Sequence, residues 1–108
     1  MVKPVAGEIV VIPFPRSDSG KHRPAFVIAD LPGADLILCQ ITSRAQLDGF
    51  AITLDHSDCE RGEIEQPCHI RPQRLFTLDH RLILRSLAKV TDAKLEEVLK
   101  RVREFFVA

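Results

Sequence analysis

The chain lacks most of the sequence features that announce a function. Its 15 Lys and Arg residues are matched by 15 Asp and Glu, so overall charge gives no reason to expect nucleic acid. Any such argument has to come from local clustering. There is no Trp or Tyr, and six Phe are the only aromatics. Cys39, Cys59 and Cys68 are odd in number and have no framework spacing, which excludes a disulfide scaffold. No charged start followed by an apolar run reads as a signal peptide, and no apolar run reaches membrane-spanning length. The expected compartment is therefore the reducing cytoplasm. His56 with Cys59, and Cys68 with His69, do not make the paired spacing of a zinc site, and no metal or other cofactor is expected. A Gly-rich phosphate loop, a nucleophile elbow, internal repeats and low-complexity tracts are all missing.

What is present is a run of short apolar segments. One domain is expected over 1–108. Residues 7–14 read as a first strand, bounded by Gly7 and Pro13. Pro15 to Gly20 is turn-forming. Ala25 to Ala29 and Leu36 to Ile41 are nearly continuous in apolar residues, as strands buried on both faces are. Ser43 to Asp48 fits one helical turn. Phe50 to Leu54 alternates like a half-buried strand. Residues 56–66 read as loop, Cys68 to Arg71 as a short strand ended by Pro72, and Leu75 to Asp79 as a turn or short helix. Leu82 to Val90 is the last strand. Leu95, Val98, Leu99, Val102, Phe105 and Phe106 then form one helical stripe, with Thr91 or Asp92 as N-cap. Glu96–Lys100 and Glu97–Arg101 are candidate pairs on the polar face. Short strands without crossover helices predict a mainly β fold, a small antiparallel barrel over about 7–90. The terminal helix, over about 91–106, would cover its seam.

Chemistry concentrates in two places. Lys21, His22 and Arg23 crowd the end of the polar loop, and Pro24 restricts Arg23 to extended or turn conformations. Thr42 and Ser43 end the third strand. If the second and third strands pair across the Asp30 to Gly33 turn, these ends are neighbours. A guanidinium fork beside two hydroxyls suits a phosphate and the charge that develops at phosphorus during transesterification. A basic loop is more often a solvated surface, and a Thr-Ser pair more often a turn signal. The residues alone thus give an anion site without a reaction.

Gly7-Glu8-Ile9-Val10, Pro13-Phe14-Pro15, Arg23-Pro24-Ala25 and Ile41-Thr42-Ser43 together resemble the MazF/PemK/Kid family of toxins. Arg71-Pro72, Leu75-Phe76-Thr77-Leu78-Asp79 and the terminal helix resemble one branch of it. The resemblance spans about residues 7 to 106. It implies an SH3-like barrel, a homodimer, and the toxin of a type II toxin–antitoxin pair. It also implies a metal-independent endoribonuclease acting on single-stranded RNA, whose 2′-hydroxyl is the nucleophile and whose products are a 2′,3′-cyclic phosphate and a 5′-hydroxyl. The implied partners are that RNA and a cognate antitoxin, with DNA reached only through the antitoxin and no membrane. By position, Arg23 and Thr42 match the catalytic arginine and the hydroxyl that binds the scissile phosphate. Ser43 supports them, Lys21 and His22 belong to the RNA-facing loop, and Arg71 and Gln73 lie on a later substrate-binding strand. Some members carry a carboxylate base where Gln73 stands, and Gln73 cannot accept the proton. His22 is the expected substitute. Two alternatives stay open. A gyrase-binding barrel toxin of the CcdB type would use a Trp near its C-terminus, which this chain lacks. A degenerate, inactive binding module is the other.

Overall fold

β1 (Glu8–Pro13), β2 (His22–Asp30) and β3 (Asp35–Thr42) form an antiparallel meander in the computed structural model, which describes residues 2–13, 22–44 and 49–107. Phe14, the turn over 15–20, Lys21 and residues 45–48 of the expected helical turn lie outside the described residues. The apolar runs are buried on both faces, as their continuity requires. Ile9, Phe26, Cys39 and Ile41 belong to one cluster, while Val10, Ile12, Ala25, Val27 and Leu38 belong to a second on the opposite face. β2 is longer than its apolar run and starts at His22, so Arg23 lies within the strand.

β4 (Ile52–Leu54), β5 (Cys59–Gly62), β6 (Cys68–Asp79) and β7 (Arg85–Val90) complete one seven-stranded antiparallel sheet in the order β4-β6-β3-β2-β1-β7-β5. Ile52 and Leu54 from one end of the sheet, and Cys59 from the other, pack on the same cluster. The sheet therefore curls into a half-barrel around it.

Several expectations are corrected here. Residues 56–66 are not all loop: Asp55 caps a 3₁₀ turn over His56–Asp58, and β5 follows at once. β6 does not end at Pro72, and Leu75 to Asp79 is neither turn nor helix but the second half of the same strand. The reason is a wide bulge. Gln40 pairs with Arg71 while Cys39 pairs with Leu75, so three β6 residues, Pro72 to Arg74, are accommodated without partners on β3. Pro72 has no N–H to lose from a ladder, and it sits fully buried within the bulge. The last strand starts at Arg85 rather than Leu82, because Asp79 caps a second 3₁₀ turn over His80–Leu82. The strand expected over Phe50 to Leu54 keeps only its last three residues.

α1 (Asp92–Glu104) is capped by Thr91, whose hydroxyl accepts from Lys94 N at 3.2 Å. Val98 is fully buried, and Leu95, Leu99 and Val102 pack beside it on the first cluster. The helix ends at Glu104, so Phe106 falls beyond it and is exposed. Two cations tie α1 to the β4 end of the sheet: Lys94 Nζ donates to Thr53 O at 3.0 Å, and Arg101 Nη1 to Gly49 O and Phe50 O at 3.2 and 3.1 Å. Glu96 and Glu97 pair with Arg103 and Lys94 instead of the expected Lys100 and Arg101. Among the described residues, no helix is long and apolar enough to cross a membrane.

Gly62 has a φ of 72°, and a Cβ there would meet Leu87 O at 2.2 Å. Gly33 has a φ of 85° but open space around it. Gly62→Ala should therefore destabilise by more than about 1 kcal/mol in denaturant titrations. Gly33→Ala, which carries backbone strain alone, should have the smaller effect. Equal effects would mean that the Leu87 contact is not what constrains the β5 edge.

Candidate active site

The polar ends of the central strands meet in one row. Pro24 holds Arg23 extended, and β2 sets it opposite Ile12 of β1. On its other side β2 pairs Val27 with Leu38, Phe26 with Cys39 and Ala25 with Gln40. The same register carried two residues further sets Arg23 opposite Thr42. β6 sets His69 opposite Thr42 and Arg71 opposite Gln40, and β4 sets Thr53 opposite His69. Opposite residues in an antiparallel ladder share a face. Arg23, Thr42, His69 and Thr53 therefore run across the sheet in a single line, with Gln40 and Arg71 in the next. Strands lie about 4.8 Å apart, which puts Arg23 and His69 about 10 Å apart at Cα with Thr42 between them.

Local contacts orient this row. Thr42 Oγ1 accepts from Arg44 N at 3.2 Å, which fixes the hydroxyl and leaves its own hydrogen to donate. Arg71 Nη1 approaches Gln40 Oε1 at 3.5 Å. His69 Nδ1 is sealed from solvent with no hydrogen-bond partner among the described residues. Gln73 lies in the bulge, half-buried. Beside the row, on the same face, a groove of about 340 Å³ is lined by Ile12, Gln40, Arg74, Leu75 and Phe76 with Pro13 and Leu78.

A second concavity opens on the other face. A cleft of about 310 Å³ is lined by His22, Pro24, Ile41 and Ser43 on one side and by Glu63 to Gln66, Arg85 and Leu87 on the other. Arg23, at the strand end, lines this cleft as well. Neighbouring strand residues alternate between faces. Hence Thr42 and Ser43, expected to act together, part company, and His22 lies across the strand from Arg23's row. Lys21 lies outside the described residues. The sequence reading missed His69 as a site residue. It weighed that side chain only as a zinc ligand beside Cys68, whereas the two point to opposite faces of β6. Among the described residues, no three His, Cys, Asp or Glu side chains cluster so as to hold a metal ion.

The model of a family described as PemK-like, MazF-like toxins of type II toxin–antitoxin systems matches residues 6–106. The chain belongs to that family. The fold agrees. A MazF chain from a MazE–MazF crystal structure of Deinococcus radiodurans superposes with a TM-score of 0.79 at 24% identity, covering 97% of each chain. A mycobacterial endoribonuclease in complex with its cognate antitoxin gives 0.76 at 13% identity, over 95% of this chain and 94% of the other. The Mycobacterium tuberculosis toxin MazF-mt6 gives 0.71 at 13%, over 94% and 98%. At the sequence level no curated protein matches.

In this MazF-like toxin the cysteines are poorly suited to act as nucleophiles. Burial, with a smaller contribution from Cys59, pushes the Cys68 thiol up to about 11, and burial pushes Cys39 up as well. Alkylation of Cys68 by iodoacetamide, followed by mass spectrometry, should rise about tenfold per pH unit and show no plateau by about pH 10. A plateau near pH 9 would show an ordinary thiol.

Proposed function

We propose that this toxin is an endoribonuclease that cuts single-stranded RNA without a metal ion, using the RNA's own 2′-hydroxyl as nucleophile. The observation that carries the reading is the antiparallel pairing of β2 with β3, whose register, carried two residues past Ala25 and Gln40, sets Arg23 and Thr42 opposite each other at the adjoining strand ends. Attack of the 2′-oxygen on phosphorus concentrates negative charge on the non-bridging oxygens. A guanidinium keeps its charge at any physiological pH and presents a planar fork to those oxygens. Arg23 therefore stabilises the transition state electrostatically and leaves proton transfer to another group. Thr42, oriented by the Arg44 amide, donates a hydrogen bond to the same phosphate. Arg71, held beside Gln40, and Gln73 in the bulge extend the polar surface along β6 toward the neighbouring nucleotide. The apolar groove next to them offers Phe76 and Leu75 to a base. Ser43 and His22 line the cleft and meet the RNA where it leaves the row, and Lys21, the basic residue next to His22 in the chain, adds its charge to that contact. The reaction expels the 5′-oxygen and leaves a 2′,3′-cyclic phosphate.

The partners follow from the same reading. A small cognate antitoxin neutralises the toxin, in keeping with the antitoxin complexes among the matched structures. The working form is a homodimer in the cytoplasm, and DNA is reached through the antitoxin.

Cleavage of a mixed-sequence single-stranded RNA should proceed undiminished in EDTA and yield cyclic phosphate ends. Arg23→Ala should lower the rate by about 100-fold or more without moving the melting temperature. Arg23→Lys, which keeps the charge but loses the fork, should fall in between. A wild-type rate in Arg23→Ala would remove the mechanism.

A further inference from the structure

We propose that His69 is the group that takes the proton from the attacking 2′-hydroxyl. The inference rests on the endoribonuclease reading and deepens it. Three observations meet on this side chain. The ladder sets it directly opposite Thr42 and on the face of Arg23, so a phosphate held by the hydroxyl lies between guanidinium and imidazole. Its Nδ1 is sealed from solvent without a partner among the described residues, while the residue as a whole is only half-buried, which leaves Nε2 as the nitrogen for a substrate proton. On the β4 side it pairs with Thr53, a small exposed residue.

The rival groups are placed elsewhere. Gln73 has no proton-accepting base. His22, Glu63 and Glu65 line the cleft that Arg23 also borders, but Thr42, which holds the phosphate in this reading, does not line it, whereas the ladder sets His69 opposite that hydroxyl. The charged side chains that flank His69 are Arg71 along β6, Arg23 across β3, Arg44 past the end of β3, Asp55 past the end of β4, and Lys94 of α1, whose ammonium reaches Thr53 O. Of these side-chain types only imidazole ordinarily changes charge between pH 5 and 8.

The step balances. As O2′ bonds to phosphorus its proton passes to Nε2, and the P–O5′ bond breaks with its electron pair on O5′. Water protonates O5′, and the hydroxide so formed takes the proton back from the imidazolium. Enzyme and charge are restored, with cyclic phosphate and 5′-hydroxyl as products. Arg23 and Thr42 hold the phosphate throughout, and His69 handles the proton.

The test is the pH profile of kcat/KM on a mixed-sequence single-stranded RNA between about pH 5 and 8. Wild type should show an acid limb rising about tenfold per pH unit. His69→Gln and His69→Asn should lose about 10²–10⁴-fold in rate and flatten that limb, and added imidazole should restore part of the rate. Melting temperatures are measured alongside. Should both amides unsettle the fold, His69→Val removes the orphaned nitrogen, suits a strand, and carries the same readout. A limb that survives in these variants, with rates within a few-fold of wild type, overturns the proposal. So does a limb lost in His22→Gln instead, which would make His22 the base. If Arg23→Ala still abolishes cleavage in that case, the endoribonuclease reading stands while the role of His69 falls. If wild type cleaves no RNA, both fall together.

Discussion

The bulge at Pro72 to Arg74 is the constraint on which the rest of the site depends. An antiparallel strand alternates its faces with a period of two, so an odd number of extra residues reverses which positions point inward. Before the bulge, Cys68 and Ile70 pack into the half-barrel and His69 and Arg71 point the other way. After it, Leu75 is packed inward and Phe76 and Leu78 join the opposite cluster. One strand can therefore serve two environments. Its second half helps close an apolar face against Leu36 and Leu38, while its first half sets polar side chains beside Thr42. A continuous ladder with the first half's register would turn Phe76 and Leu78 to the other side of the sheet.

The same device explains why the sequence read so unevenly. β1, β2 and β3 were legible because each is a run of β-branched and aliphatic residues bounded by Gly, Pro or Asp, and burial on both faces requires such runs. α1 was legible from its stripe. β6 was not, since its pattern carries a phase reversal and a proline that ordinarily ends a strand. β5 was missed for a different reason. Cys-Glu-Arg-Gly has no apolar alternation, and this edge strand is held by its ladder to β7 and by the close approach of Gly62 to Leu87. Backbone pairing at an edge leaves little trace in composition.

The helix and the sheet edges form a second dependency. A half-barrel has two open ends, and each exposes unpaired backbone groups. At the β4 end, Lys94 and Arg101 place cationic donors on the carbonyls of Thr53, Gly49 and Phe50, and the Phe105 ring meets Phe50 edge-to-face at a centroid distance of 5.3 Å. At the other, Thr91 N donates to Asp58 O at 2.8 Å just before β5. The stripe of α1 fills the space between. The apolar stripe was readable in advance. The cationic contacts were not, since Lys94 and Arg101 look like solvent-facing positions until β4 is brought beside them.

The site divides along similar lines. Arg23 and Thr42 were legible because each stands at a strand end, and one antiparallel pairing suffices to join them. Ser43 seemed to belong with Thr42 by adjacency, yet adjacency on a strand means opposite faces. His22 lines the cleft with Arg23, yet alternation along β2 keeps it out of the row that holds Thr42. His69 is far from both in sequence, and nothing in its neighbourhood marks it. It becomes Thr42's neighbour only through the register that holds before the bulge. What links the members of this row is thus not proximity along the chain but parity across four strands, and an insertion of one residue in any of them would part the guanidinium from the hydroxyl or the hydroxyl from the imidazole.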